Sequence, residues 1–324
     1  MTTSASGAPE LVGRAHEGDP RALARLVSLI EDGSPRLRAV MKELVPLAGR
    51  AWVIGLTGSP GAGKSTVTSA LIAAYRGRGL RVAVLAIDPT SPFTGGALLG
   101  DRIRMQDHAT DGDVFIRSMA SRGHLGGLAA ATPQVIRALD AARYDVILIE
   151  TVGVGQVEVE IASLADSVTV LVVPGMGDSI QAAKAGILEI ADVFVVNKAD
   201  RPQVQETVRD LRNMIALAAQ GPDDWKPPIV TTVATTGDGI GELVGQLDAH
   251  RVWLDRSGEG DRRRAARARE EVAALALGAL RRKMARLPGD SALGALAGRV
   301  AEGQIDPYSA ADELLGALTD SASP

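Results

Sequence analysis

The sequence has no cysteine at all, which removes disulfides, thiolate metal sites and cysteine nucleophiles together. Histidine is nearly as scarce. His16, His108, His124 and His250 are scattered along the chain, so no zinc or nickel cluster is expected. No apolar run approaches the length of about 18 residues that a membrane helix needs; even Ala162–Pro174 is broken by Asp166. The first ten residues, Met1 to Glu10, are small and polar and carry no secretory pattern. Net positive charge is also missing: the balance is −4, so no overall field recruits nucleic acid or an anionic membrane. A soluble, cytoplasmic protein is expected.

What is present is an ordinary globular composition, 46% apolar and 23% charged over 324 residues, enough for one large domain or two medium ones. Three stretches differ in pattern. In 1–50, Leu23, Leu26, Val27 and Ile30 recur at helical spacing after Asp19-Pro20, a cap followed by proline at the first helical position. In 51–256, short apolar runs alternate with amphipathic segments. The predicted strands are Trp52–Thr57, Val82–Ile87, Val114–Arg117, Val146–Ile149, Val168–Val173, Val193–Val196 and Ile229–Val233. Most are continuous Val, Ile, Leu or Ala, as in strands buried on both faces of a parallel sheet. The fold class is therefore α/β, doubly wound and mainly parallel, with helical extensions at both ends. In 257–324 the pattern is helical again, with a break at Pro288-Gly289-Asp290.

The chemistry starts at Gly58-Ser59-Pro60-Gly61-Ala62-Gly63-Lys64-Ser65, followed by Thr66. It lies between an apolar strand and an amphipathic helix, the context a phosphate-binding P-loop requires. Glycines let the backbone wrap a phosphate, and the helix N-terminus supplies partial positive charge. Lys64 reaches the β- and γ-phosphates, and the Ser65 hydroxyl is a Mg²⁺ ligand. Directly after a later strand comes Asn197-Lys198-Ala199-Asp200, whose aspartate accepts from the guanine N1–H and exocyclic amine, a pattern adenine lacks. Val233-Ala234-Thr235 follows the next strand and is the candidate loop over the base, though any strand-to-helix loop reads this way. The bound nucleotide is therefore expected to be GTP or GDP.

For the metal, Glu150 ends a buried strand where a Walker-B carboxylate belongs, and Asp88 and Asp101 offer two more. Small regulatory GTPases carry aspartate at the first of these positions, so Glu150 marks a subgroup. Gln156 either positions water or is structural. Lys184 contacts phosphate or a partner, or is an exposed helical lysine. The run Arg262-Arg263-Arg264…Arg267…Arg269 lacks aromatic interleaving and is followed by Glu270 and Glu271, which favours a solvated or interface-forming helix over a nucleic-acid site.

Together these blocks resemble the MeaB/ArgK family of methylmalonyl-CoA mutase-associated, SIMIBI-class GTPases. The resemblance also takes in Asp88-Pro89-Thr90-Ser91-Pro92, Gly100–Met105, Phe115–Gly127, Glu150–Gln156 and Pro174–Asp178, and covers about Leu11 to Leu254. It implies a Mg²⁺-dependent GTPase that acts as chaperone of an adenosylcobalamin-dependent acyl-CoA mutase, gating cofactor loading and protecting or reactivating the enzyme. On that basis Asp88, Asp101 and Glu150 form the magnesium and hydrolysis network. Gly177–Lys184 is an additional switch with Lys184 as its contact residue, and the chain is a homodimer through its flanking helices. The alternatives are an ATPase or kinase linked to lysine/arginine/ornithine transport, and a metallochaperone GTPase. The second lacks the Cys/His site it would need.

Overall fold

Each of the seven apolar runs forms a strand, and the strands align in one sheet. The computed structural model describes residues 7–89, 108, 110–121, 131–151, 160–175, 189–217, 221, 224–284 and 292–320. The strands are β1 (Trp52–Gly58), β2 (Val82–Pro89), β3 (Val114–Ser121), β4 (Val146–Thr151), β5 (Ser167–Val172), β6 (Val193–Asn197) and β7 (Ile229–Thr232). Their order is β3-β2-β4-β1-β5-β6-β7, and every pairing is parallel. The sheet is thus wholly, not mainly, parallel among the described residues. Five strands run past their predicted ends, to Gly58, Pro89, Ser121, Thr151 and Asn197. The reason is that backbone pairing, which side-chain polarity does not interrupt, defines where a ladder stops.

Alternate residues along each strand feed two separate cores, as a period of two demands. One face carries Val53, Ala83, Leu85, Ile87, Ile147, Ile149, Phe194 and Val196. It is covered by α1 (Gly7–His16), α2 (Pro20–Glu31), α3 (Leu37–Leu44), α5 (Thr132–Ala141) and α6 (Val204–Leu217). The other face carries Trp52, Ile54, Leu56, Val82, Val84, Leu148, Val193 and Val195. There α4 (Lys64–Gly77) and α7 (Ile240–Ser257) insert Val67, Leu71, Ile72, Tyr75, Leu243 and Leu247. Helices on both faces explain why the strands read as unbroken apolar runs.

The N-terminal helices belong to this body. The Asp19 carboxylate accepts from the Arg21 and Ala22 amides (2.9 and 3.2 Å), with Pro20 beginning α2 as predicted. Such a cap contributes about 1 kcal/mol. Arg117 of β3 pairs with Glu31 of α2. The Asp140 carboxylate on α5 accepts from the Arg50 and Ala51 amides (3.1 and 3.0 Å), fixing the entry to β1.

The chain divides into two compact units, 1–264 and 265–324. The helix α8 (Glu259–Met284) runs across that division in sequence. In the second unit α9 (Ala292–Ala301) and α10 (Pro307–Asp320) pack Leu296 against Ala310 and Leu314, with Met284, Val300 and Ile305 around them. Arg299 and Glu313 pair across these two helices at 2.7 Å. On α8, Val272, Leu275, Leu277 and Leu280 are exposed. No helix of the described residues is long and apolar enough to cross a membrane.

The arginine run departs from its expected role at one position. Arg262 and Arg264 make local surface pairs with Glu259 and Asp261. Arg263 instead turns inward onto the buried carboxylate of Asp192. Three consecutive helical residues point in three directions about 100° apart, and here Arg263 is the one that faces the sheet.

Candidate functional site

β1 pairs with β4 on one side and β5 on the other. The chain adds strands on one flank of β1 before crossing to the other, so the C-terminal end of β1 is the switch point where ligands of open α/β sheets sit. The phosphate-loop candidate occupies that end. Gly58 has φ +137°, and a Cβ there would lie 2.2 Å from the Leu171 carbonyl oxygen, which leaves glycine as the residue that fits. Gly63, at φ +87°, precedes α4, and a Cβ on it would come within 2.4 Å of Asn197 Nδ2. Ser59 accepts from the Ala62 amide (3.1 Å), closing the turn around Pro60 and Gly61, which are exposed.

The helix then starts without a side-chain cap, so the positive end of its dipole faces the loop. Lys64 is buried and donates through Nζ to the carbonyls of Gly58 and Ser59 (2.7 and 3.1 Å), folded along the loop it belongs to. Thr66, half-buried, follows on the first turn.

The Ser65 hydroxyl donates to Glu150 Oε1 at 2.6 Å. Glu150 is buried between Leu56 of β1 and Ala86 of β2, its register partners. The sheet order, not the sequence, brings these together across 85 residues. A hydroxyl carries one proton and two lone pairs. Donating to the carboxylate therefore leaves the same oxygen able to ligate a cation. Mg²⁺ is held by one or two carboxylates and substrate phosphates rather than an all-protein cage, and an all-oxygen Ser65–Glu150 pair beside a phosphate loop fits it. Thr68, which the sequence reading passed over, donates to the other carboxylate oxygen, Oε2, at 3.0 Å. Helical spacing places Thr68 on the same face as Ser65, three residues on, but the carboxylate that this face meets is set by the sheet order.

Asn197 ends β6 and joins the phosphate-loop candidate to the segment after β7. Its Nδ2 donates to the Ala62 carbonyl (2.8 Å), while its Oδ1 accepts from Thr232 Oγ1 (3.1 Å) and the Ala234 amide (3.3 Å). Lys198 adopts φ +60° and donates through Nζ to the Gly61 carbonyl at 2.7 Å. Asp200 is exposed on the turn that follows. Val233 is half-buried, Ala234 buried and Thr235 exposed, in a turn closed by the Val233 amide donating to the Asp238 carbonyl at 3.1 Å. The three segments converge on one end of the sheet because parallel strands present all their C-terminal loops on one edge.

Asp88 lies two residues past Ala86 on β2, with its backbone opposite Ala120 of β3, so it is on the same edge. Asp101, Gln156 and Lys184, with the whole of Gly177–Lys184, lie outside the described residues.

At the opposite edge sits a buried polar group that sequence reading did not assemble. His250, counted among scattered histidines, is fully buried. Its Nδ1 is 2.8 Å from Ser167 Oγ, and its Nε2 is 3.2 Å from Asp192 Oδ1. Ser167 Oγ also accepts from Trp52 Nε1 (3.1 Å), and Trp253 stacks on the imidazole at a centroid distance of 5.6 Å. Burial pushes the Asp192 carboxyl up, but His250 and Arg263 outweigh it and hold it below the usual carboxylate range. Among the described residues this Ser-His-Asp set is buried at the strand N-termini, away from the phosphate-loop end of the sheet, which fits a structural role.

Comparison with known proteins gives a consistent set of similarities. The family model described as methylmalonyl-CoA mutase-associated GTPase MeaB matches residues 23–288. A Pyrococcus abyssi protein named as a GTPase is 49% identical over 308 residues, covering 94% of this chain and 95% of its own. GTPase ArgK of Escherichia coli is 38% identical over 257 residues, 77% of each chain. Among solved structures, one described as LAO/AO transport system kinase aligns with a TM-score of 0.72 and 27% identity, covering 98% of this chain and 99% of that one.

Proposed function

The chain belongs to the MeaB family of methylmalonyl-CoA mutase-associated GTPases, and from that premise we propose that it is the GTP-driven chaperone of an adenosylcobalamin-dependent acyl-CoA mutase. It is a P-loop GTPase and binds guanine nucleotide. The observation that carries the site assignment is Asn197, whose side chain bonds both the phosphate loop and the segment after β7. Nucleotide occupancy at one is thereby linked to the other.

In this reading Gly58–Ser65 and Thr66 enclose the phosphates, and Asp200 selects guanine beside Val233, Ala234 and Thr235. Lys64 exchanges the Gly58 and Ser59 carbonyls, its present acceptors, for phosphate oxygens. Ser65 and Glu150 hold Mg²⁺, joined by Asp88 and Asp101. Mg²⁺ neutralises charge that builds on the phosphates during transfer. Gly177–Lys184 relays nucleotide state to the mutase through Lys184. The chain acts in the cytoplasm as a homodimer. The exposed Val272, Leu275, Leu277 and Leu280 of α8 are the kind of apolar surface a two-fold contact covers.

The test is co-purification of the mutase with this protein in GDP and in a non-hydrolysable GTP analogue, followed by hydrolysis with and without mutase. Nucleotide-dependent association and faster hydrolysis in complex are expected. Absence of both removes the chaperone role and leaves the GTPase. A transport-linked kinase, the reading the solved structure's description favours, would instead transfer phosphate from ATP to a protein, which GTP-against-ATP turnover separates.

A further inference from the structure

Both oxygens of the Glu150 carboxylate are held by one helix. Ser65 donates to Oε1 at 2.6 Å and Thr68 to Oε2 at 3.0 Å, from positions three residues apart on the same face of α4. Thr68 is fully buried, and its hydroxyl also lies 3.0 Å from the Lys64 carbonyl. A mid-helix threonine commonly turns to solvent or back to that carbonyl four residues earlier. With one proton to give, it favours the charged acceptor, because a hydrogen bond to an ionised oxygen is about twice as strong as a neutral one.

The need for a second anchor follows from the residue type. Glutamate has one more rotatable bond than aspartate, and its terminal torsion is broad. A carboxylate reaching from β4 on that longer stem is not oriented by the strand alone. Ser65 holds one carboxylate oxygen and Thr68 the other, and two contacts on different oxygens set the plane of the group.

We propose that Thr68 is a positioning residue for the metal, holding Glu150 so that Oε1 stays on the Ser65 side where a cation meets both groups. This rests on Glu150 being a metal-holding group. Thr68 itself touches neither nucleotide nor cation. It acts through the second carboxylate oxygen, as outer partners of metal ligands do.

Fluorescent GDP binding to the full chain is titrated against Mg²⁺ and repeated in EDTA, for the natural protein, Thr68→Val, Thr68→Ser and Glu150→Gln. Thr68→Val is expected to raise the half-saturating Mg²⁺ about tenfold while leaving the affinity in EDTA unchanged, and Thr68→Ser to restore the natural value. A normal Mg²⁺ response in Thr68→Val beside a shifted one in Glu150→Gln overturns the positioning role and leaves Glu150 at the metal. No shift in either variant removes Glu150 from the metal and Thr68 with it. An equal loss with Mg²⁺ and in EDTA makes Thr68 a packing residue and also overturns the proposal. Thr68→Ala, which adds no methyl to the site, repeats the comparison where the valine variant does not fold.

Discussion

Arg263 lays its guanidinium fork across the Asp192 carboxylate, Nη2 to Oδ1 at 3.0 Å and Nη1 to Oδ2 at 3.1 Å. Asp192 immediately precedes β6, the strand that ends in Asn197. One short strand thus has a buried ion pair at its start and, at its end, the turn proposed to read guanine.

That pair makes a stability prediction. Asp192 also accepts from the Val168 amide at 2.8 Å, so its removal strands several partners, whereas Arg263 keeps about a third of its side chain in water. Asp192→Ala is expected to cost about 3–5 kcal/mol and Arg263→Ala about 1–3 kcal/mol in urea unfolding. Equal and negligible losses would show the pair to be a surface contact in effect.

The same carboxylate sets an acid limb. Its folded pKa is lowered, the attraction of His250 and Arg263 outweighing the opposing effect of burial. A depressed carboxylate contributes stability that is present above its unfolded pKa, about 4, and lost as pH falls through the lower folded value. Stability measured from pH 7 downward should therefore fall below about pH 4, and Asp192→Asn should flatten that fall. An unchanged acid limb in the variant assigns it to other carboxylates.

Lys64→Ala should reduce GTP turnover by at least about a hundredfold, the loss expected when one preorganised charge donor is removed from a phosphate site. The fold should survive, because Lys64 ties down a loop rather than a core. Normal hydrolysis with a native circular-dichroism spectrum would remove Lys64 from the phosphates.

Asp200→Asn should weaken GTP about 10–100-fold, the worth of a hydrogen bond to a charged acceptor, while ATP binding stays equally poor. Competition between the two nucleotides reads this directly. Equal binding of ATP and GTP by the natural protein would sink the guanine assignment.

Gly58→Ala should destabilise the whole body by about 2–4 kcal/mol. Its Cβ would meet the backbone of β5, at 2.2 Å from the Leu171 oxygen, and backbone in a central strand cannot step aside. A melting temperature equal to that of the natural protein would contradict this close approach.

The sequence by itself determined the elements and the local chemistry. Seven short apolar runs read as strands, the Asp19-Pro20 cap announced α2, and the spacing from Gly58 to Ser65 specified a loop on a helix N-terminus. Each is a short-range property, written in neighbouring residues whose backbone preferences need no distant partner. Tertiary structure decided what those pieces meet. Glu150 lies 82 residues from Thr68, Asn197 lies 135 from Ala62, and Arg263 lies 71 from Asp192. Such pairs depend on the order in which parallel strands line up, and no local pattern encodes that order. Hence a loop and a carboxylate could be named in advance, while the second hydroxyl that meets the carboxylate and the arginine that turns inward could not.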